Sequence, residues 1–379
     1  MKLAFCIFKY SPFGGLQGDF LRIAAECLRR GHEVIVYTRS WDGAVPEGLD
    51  IRLIKAGAVT NHGQAIAFYQ QLQHELQSSR PAGIIGFNRM PGLDVYFAGD
   101  NCLAEKAANR FFYRTFNPRY RTYSYLEKAV FTPSAQTEIL YIAEPQKAGY
   151  IKHYSTQEQR FHLLPPGIPE DRQRSPESAA LRENLRKAEG ITADERVLIQ
   201  IGSGFITKGV DRSIRALAAL PDKMRGKTRL WIAGKDNPGK FINLAKRLGI
   251  DSQVAFLGGR SDIPAILAGA DLMIHPAVNE SAGNVLLEAM AAGLPVLCTA
   301  ACGYSPYIEK SGDGRVIPEP FSQSALNQEL LTMLNGDLPA IGEKGIAFAR
   351  QNDFYSRHII AADIIEKTIA AKAGIQIAV

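Results

Sequence analysis

The sequence predicts an α/β protein built as two doubly wound halves, and three observations carry that expectation. Short runs rich in β-branched and aromatic residues alternate with longer amphipathic runs, the signature of parallel strands joined by crossover helices. The pattern occurs twice along the 379 residues, and "PPGIPEDRQRSPES" at 165–178, dense in proline, serine and charge, separates the two sets as a linker. The length is also more than one core commonly supports, since domains run to about 100–200 residues.

The first set reads as strand 2–10, helix 16–30, strand 33–38, strand 51–55, helix 64–78, strand 83–87 and strand 94–98. A helical stretch, strand 138–143, helix 144–154 and "RFHLLPPGI" complete it. The second set runs strand 196–202, helix 209–220, strand 228–233, helix 238–248, strand 253–258 and helix 262–269, then strand 271–275, helix 283–292 and strand 295–299. Ligands of such sheets sit beyond the carboxyl ends of the strands, so two halves facing each other place a site in the cleft between them.

Composition narrows the class. Hydrophobic residues at 46% and charged residues at 22% describe a soluble globular chain, and no apolar run approaches the roughly 18 residues of a membrane span. The opening "MKLAFCIFKYSPFGG" is short, alternating and broken by Lys9, so it reads as a buried strand and not as an export signal. Cys6, Cys27, Cys102, Cys298 and Cys302 are an odd set, expected as reduced core thiols in the cytoplasm. Cys298 and Cys302 lack a nearby histidine pair, and no metal is expected. A net charge of +6 is mild for a nucleic-acid binder and suits an anionic small molecule or surface.

Several strands end in glycine loops, which let backbone amides approach an anion. Gly14 and Gly15 precede the first helix, but the stretch is not GxGxxG and the second strand ends "VYTRSWDG" without a closing acid, so a dinucleotide fingerprint is poorly matched. In the second half "IGSGFITKGVDRS" delivers Lys208 to a helix start, where a compact positive charge suits a diphosphate. "WIAGKDNPG" and "VAFLGGRSD" end in similar turns, and Arg260 in the latter has a plane that stacks on a base. "DLMIHPAVNE" then delivers His275 and Glu280 to the site edge, with a helix expected from about Ala282. The amides of Ala282, Gly283 and Asn284 are its orphan donors. At 1.5 Å per residue, roughly 9–12 Å separates the stems of Glu280 and Glu288. That disfavours a hydrolase pair, which wants about 5–9.5 Å across one bond, and favours two acceptors holding different sugars of one ligand.

With these residues in view the sequence resembles the retaining family 4 glycosyltransferases of GT-B fold, in particular those that build the lipopolysaccharide core. "SPFGGLQGDF" at 11–20, "GFNRMPGLDVYFAGD" at 86–100, "LLPPGI" at 163–168, "GSGFITKGVDRSI" at 202–214 and "HPAVNESAGNVLLEAMAAGLPVL" at 275–297 carry the resemblance. It implies two Rossmann-like domains, an N-terminal one at 1–168 for the acceptor and membrane and a C-terminal one at 169–355 for a UDP-sugar. A final helix at 356–379 would pack back toward the first. It implies UDP-glucose as donor, the inner-core heptose of lipopolysaccharide as acceptor, and no cofactor or metal. Carried over by residue, Lys208 and Arg172 face the diphosphate, Glu288 the ribose, and Glu280 with the backbone of Ala282 and Gly283 the glucose. Gly15 lies by the phosphates, Asp19 near the donor sugar, and Asp100 stands where relatives often have a histidine. Ser203 replaces a common arginine, and Glu280-Ser281-Ala282-Gly283 departs from Glu-Gly-Phe-Gly.

Residues 106–128 gather Lys106, Arg110, Arg114, Arg119, Arg121 and Lys128 against one acid, Glu127. Phe111, Phe112, Tyr113, Phe116, Tyr120, Tyr123 and Tyr125 are interleaved. That composition fits an anionic membrane surface, single-stranded nucleic acid or an ordinary packed helix with solvated arginines. The resemblance, with its lipid-embedded acceptor, implies the membrane, so the expected location is peripheral on the inner face of the cytoplasmic membrane, with no nucleic-acid partner. The alternatives are a related transferase with another UDP-sugar or glycolipid acceptor, a membrane-associated nucleotide-binding protein without catalysis, and, more distantly, a nicotinamide dehydrogenase.

Overall fold

Leu3 to Cys6 are buried one after another, although successive side chains point to opposite faces. Both faces of that strand are therefore covered, the condition of a parallel sheet under helices. The computed structural model describes residues 1–12, 14–55, 57–108 and 116–374. It divides into two compact units, Met1–Pro165 with Ser356–Val379, and Pro166–Tyr355.

The first unit holds β1 (Lys2–Cys6), β2 (Glu33–Thr38), β3 (Asp50–Leu53), β4 (Gly83–Gly86), β5 (Val95–Ala98), β6 (Glu138–Tyr141) and β7 (Phe161–Leu163). They pair in parallel in the order β3-β2-β1-β4-β5-β6-β7. The second unit holds β8 (Arg196–Ile201), β9 (Thr228–Ala233), β10 (Val254–Gly258), β11 (Leu272–His275), β12 (Val296–Thr299) and β13 (Gly314–Ile317). These too are parallel, in the order β10-β9-β8-β11-β12-β13. Each unit has its own core, one around Ala4, Ile35, Phe68 and Ile139, the other around Leu198, Ile232, Ile274 and Leu330.

Some boundaries differ from the sequence expectation. The first strand stops at Cys6 and not at residue 10, because the Phe8 amide turns to Asn88 Oδ1 at 2.6 Å and leaves the ladder. The expected linker carries a 3-10 turn at Glu170–Arg172 and gives way to a helix at Ser178–Ala188. That helix is anchored where Arg182 and Arg186 donate to Asp271 at 2.6 and 3.1 Å.

The helix Arg357–Ala373 packs in the first unit on the helix Gly15–Arg29. Arg30 binds Asp363 and Glu366 at 2.7 and 2.8 Å, and Arg357 reaches Asp19 at 2.8 Å. All five cysteines are free and buried, and burial pushes the Cys27 and Cys102 thiols up to about 12. Among the described residues no helix is long and apolar enough to cross a membrane, and no group of histidine, cysteine and carboxylates has the makings of a metal site.

Candidate active site

Each sheet reverses its strand order at one place, β1 beside β4 and β8 beside β11. At such a point the loops leaving the two neighbouring strands diverge and open a crevice beyond their carboxyl ends. In the second unit those loops are 202–209 and 276–283, and they carry Lys208 and Glu280.

Glycines seat the lysine. Gly202 has φ 136°, and a Cβ there would stand 3.1 Å from Lys208 Cε, so the lysine stem lies across bare backbone. Gly209, at φ 70°, caps the helix Val210–Ala218, and a Cβ on it would run into the Pro276 carbonyl oxygen. Gln200 donates to the Lys208 carbonyl at 2.6 Å. The two loops are joined directly: Val278 N–H donates to Thr207 O at 2.8 Å, and the Arg212 guanidinium to the carbonyls of Pro276 and Ala277 at 3.2 Å.

Glu280 is held by its backbone, which donates to Ala301 O and accepts from Gly303 N–H, both at 3.2 Å. Its carboxylate is in ion-pair contact with the Lys208 ammonium, and the side chains keep 16% and 20% exposure, enough to meet a ligand. Burial lowers the lysine below its ordinary range, a shift that the nearby Cys302 opposes. His275 differs from expectation: it lies not at the site edge but wholly buried at the end of β11, with Nε2 3.6 Å from Glu280 Oε2. Burial, helped by Lys208, holds its pKa down at about 3, so the imidazole is neutral.

The helix expected from Ala282 begins at Asn284, because Gly283 adopts φ 95°, outside helical geometry. Ala282 and Gly283 therefore form the turn before the helix, with Ala282 O accepting from Tyr304 N–H at 2.8 Å. Glu288, inside the helix Asn284–Ala292, meets Arg172 at 3.3 Å, so the residues assigned to ribose and diphosphate come together as a pair. Arg260 closes its fork on Asp262 at 2.8 and 2.6 Å. Ser203 accepts from the Lys235 amide at 3.0 Å.

In the first unit Gly15 opens its helix just past β1, at the switch point, after Gly14 at φ 125°. Asp100 is exposed beyond β5, its carbonyl accepting from Tyr150 Oη at 2.8 Å. Asp19 is only 3% exposed and commits its oxygens to Arg22 at 2.7 Å and Arg357 at 2.8 Å. That arrangement ties two helices together.

The family model for group 1 glycosyl transferases matches residues 182–345. The lipopolysaccharide glucosyltransferase WaaG of Escherichia coli (strain K12) is 46% identical over 369 residues, which cover 96% of this chain and 98% of that one. The chain belongs to the group 1 glycosyltransferases. The crystal structure of WaaG, described as a glycosyltransferase involved in lipopolysaccharide biosynthesis, matches at a TM-score of 0.93 over 96% of this chain and 99% of that one. The two Rossmann-like domains are thus those of a GT-B glycosyltransferase. Anabaena Alr3699/HepE, solved in complex with UDP and glucose, shares the fold at 21% identity and a TM-score of 0.73, with 99% of both chains covered.

Within this glycosyltransferase the sequence reading left out the scaffold of the site: Gln200 under the lysine loop, and Thr299, whose hydroxyl donates to Ala277 O at 2.7 Å. Both are polar residues inside otherwise apolar strands, a visible signal of a buried hydrogen bond. Glu127, the one acid of the basic segment, is fully buried, with Arg89 at 2.7 Å and the amides of Leu103 and Ala104 at 2.9 and 3.1 Å. Lys106, Arg119, Arg121 and Lys128 are exposed, as are Phe116 and Tyr125. Arg110, Phe111, Phe112, Tyr113 and Arg114 lie outside the described residues.

Proposed function

We propose that this glycosyltransferase moves glucose from UDP-glucose to the inner-core heptose of lipopolysaccharide with retention at the anomeric carbon. The reading rests on Lys208 and Glu280 standing side by side at the β8/β11 switch point, a cation and an acceptor spaced for a diphosphate and its sugar. Glucose and lipopolysaccharide come from the 46% identity to WaaG along nearly the whole chain.

In this reading the donor diphosphate draws the Lys208 ammonium from Glu280, and the carboxylate then accepts from glucose hydroxyls. Negative charge grows on the leaving UDP as the glycosidic bond stretches, and a fixed cation opposing that growth speeds the step; equal binding of ground and transition states would not. Arg172 adds a second positive group, and Glu288, freed from it, holds the ribose. The acceptor hydroxyl attacks on the face that UDP leaves, and its proton passes to the departing diphosphate oxygen as the glycosidic bond breaks.

Docking at an anionic membrane is part of the same proposal. On the helix Pro118–Phe131, Arg121, Tyr125 and Lys128 follow at spacings of four and three, which align them on one side. Glu127 points into the core, so it subtracts little from that face.

Lys208→Ala tests the donor site. Calorimetry with UDP is expected to give affinity at least about tenfold weaker, with turnover falling about a hundredfold or more. Unchanged affinity and rate would contradict the assignment.

A further inference from the structure

His275 stands at the site with a cost that the donor reading leaves unexplained. It is wholly buried, and neither ring nitrogen has a hydrogen-bond partner among the described residues. Buried polar groups without a hydrogen bond are expensive, and folded proteins keep few of them. The nearest acceptor is Glu280 Oε2 at 3.6 Å, just beyond a hydrogen bond. A movement of under about 1 Å would close it, and the Lys208 ammonium is what engages that same oxygen.

We propose that His275 is a positioning residue that takes over Glu280 when the donor arrives. Without nucleotide, Lys208 and Glu280 neutralise each other. A diphosphate competes for the ammonium, and the released Oε2 accepts the Nε2–H of the neutral imidazole, leaving Oε1 directed at the sugar. Because the imidazole is neutral, the carboxylate keeps its full charge and its strength as an acceptor. The backbone of Glu280 is fixed at both its N–H and its carbonyl, so only the side chain has to turn. The sugar-holding group is thereby assembled only once the diphosphate is seated, which favours nucleotide-linked sugar over free sugar. Cys302, also close to Lys208, is buried with its thiol pushed up to about 11, so it remains neutral and does not compete for the ammonium.

The inference rests on Lys208 and Glu280 being the donor site, and the test separates the two. Because the hand-over bond already forms with UDP alone, in His275→Leu the Kd for UDP is expected to weaken about three- to fivefold, while the KM for UDP-glucose rises about thirtyfold, since the sugar also loses its positioned acceptor, and kcat falls. His275→Gln, which can present an N–H near the Nε2 position, is expected to recover most of that loss. A melting curve for each variant shows whether it folds. Equal weakening of UDP and UDP-glucose, no change in either, or no recovery in the glutamine variant would overturn the role of His275. The hand-over also has a spectroscopic signature. The side-chain nitrogen resonances of His275 in the Lys208→Ala protein without nucleotide should match those of the unsubstituted protein with UDP. Resonances that match the unsubstituted protein without nucleotide would contradict it. Failure of the donor-site reading appears elsewhere, as undiminished UDP affinity in Lys208→Ala.

Discussion

At the residue scale the site depends on one glycine as much as on its charges. Gly209 holds φ 70° and lies against the Pro276 carbonyl, so the loop bearing Lys208 and the chain leading to Glu280 touch at a point with no room for a side chain. An L-residue in that conformation costs about 1–2 kcal/mol before any collision is counted. Gly209→Ala is therefore expected to lower stability by roughly 2 kcal/mol or more and to cut turnover, by separating Lys208 from Glu280. A urea titration with a UDP-release assay reads both, and a variant normal in each would contradict the packing. These residues were legible in the sequence because glycine brackets the lysine and because Glu280 lies just past an apolar strand. The distant partner of Asp19 was not: Arg357 is 338 residues away, and nothing local to "LQGDF" announces it.

At the element scale the basic helix is the part with two duties. Its exposed side carries Arg121, Tyr125 and Lys128, its first turn carries the exposed Arg119, and its buried side carries Glu127. Arg89 joins that carboxylate to the loop beyond β5, donating to Asn101 O at 3.0 Å and Tyr150 Oη at 2.9 Å. Glu127→Gln would leave a buried guanidinium unpaired, a loss of about 3–5 kcal/mol, and a lower urea midpoint is expected; an unchanged midpoint would show the pair to be dispensable. Arg119→Ser with Arg121→Ser leaves the core untouched and is expected to reduce sedimentation with anionic vesicles several-fold, at about 1 kcal/mol per basic group. Equal sedimentation would make the face an ordinary solvated one. The buried strands were legible as apolar runs, whereas β7 and β13 were not. "FHL" and "GRVI" are three and four residues long and only half buried, so their composition does not set them apart from loop. The true helix start at Asn284 was hidden because "SAGN" reads as helical until the backbone of Gly283 is seen.

At the scale of the whole molecule, two parallel sheets with the same order reversal explain why a chain of this length has a place for a nucleotide-sugar. The alternation of strands and helices gave away that plan, since each strand needs a crossover helix to pair in parallel. The identity of the transferred sugar is a different matter, because glucose and its epimers differ only in the direction of a hydroxyl that Glu280 would meet. The most direct test is to incubate the protein with UDP-glucose and heptose-terminated core lipopolysaccharide and to weigh the product by mass spectrometry. One added hexose, lost in Lys208→Ala and absent when UDP-glucose is omitted, is the predicted result. An unmodified acceptor with UDP-glucose, or a hexose added equally well by Lys208→Ala, would contradict it.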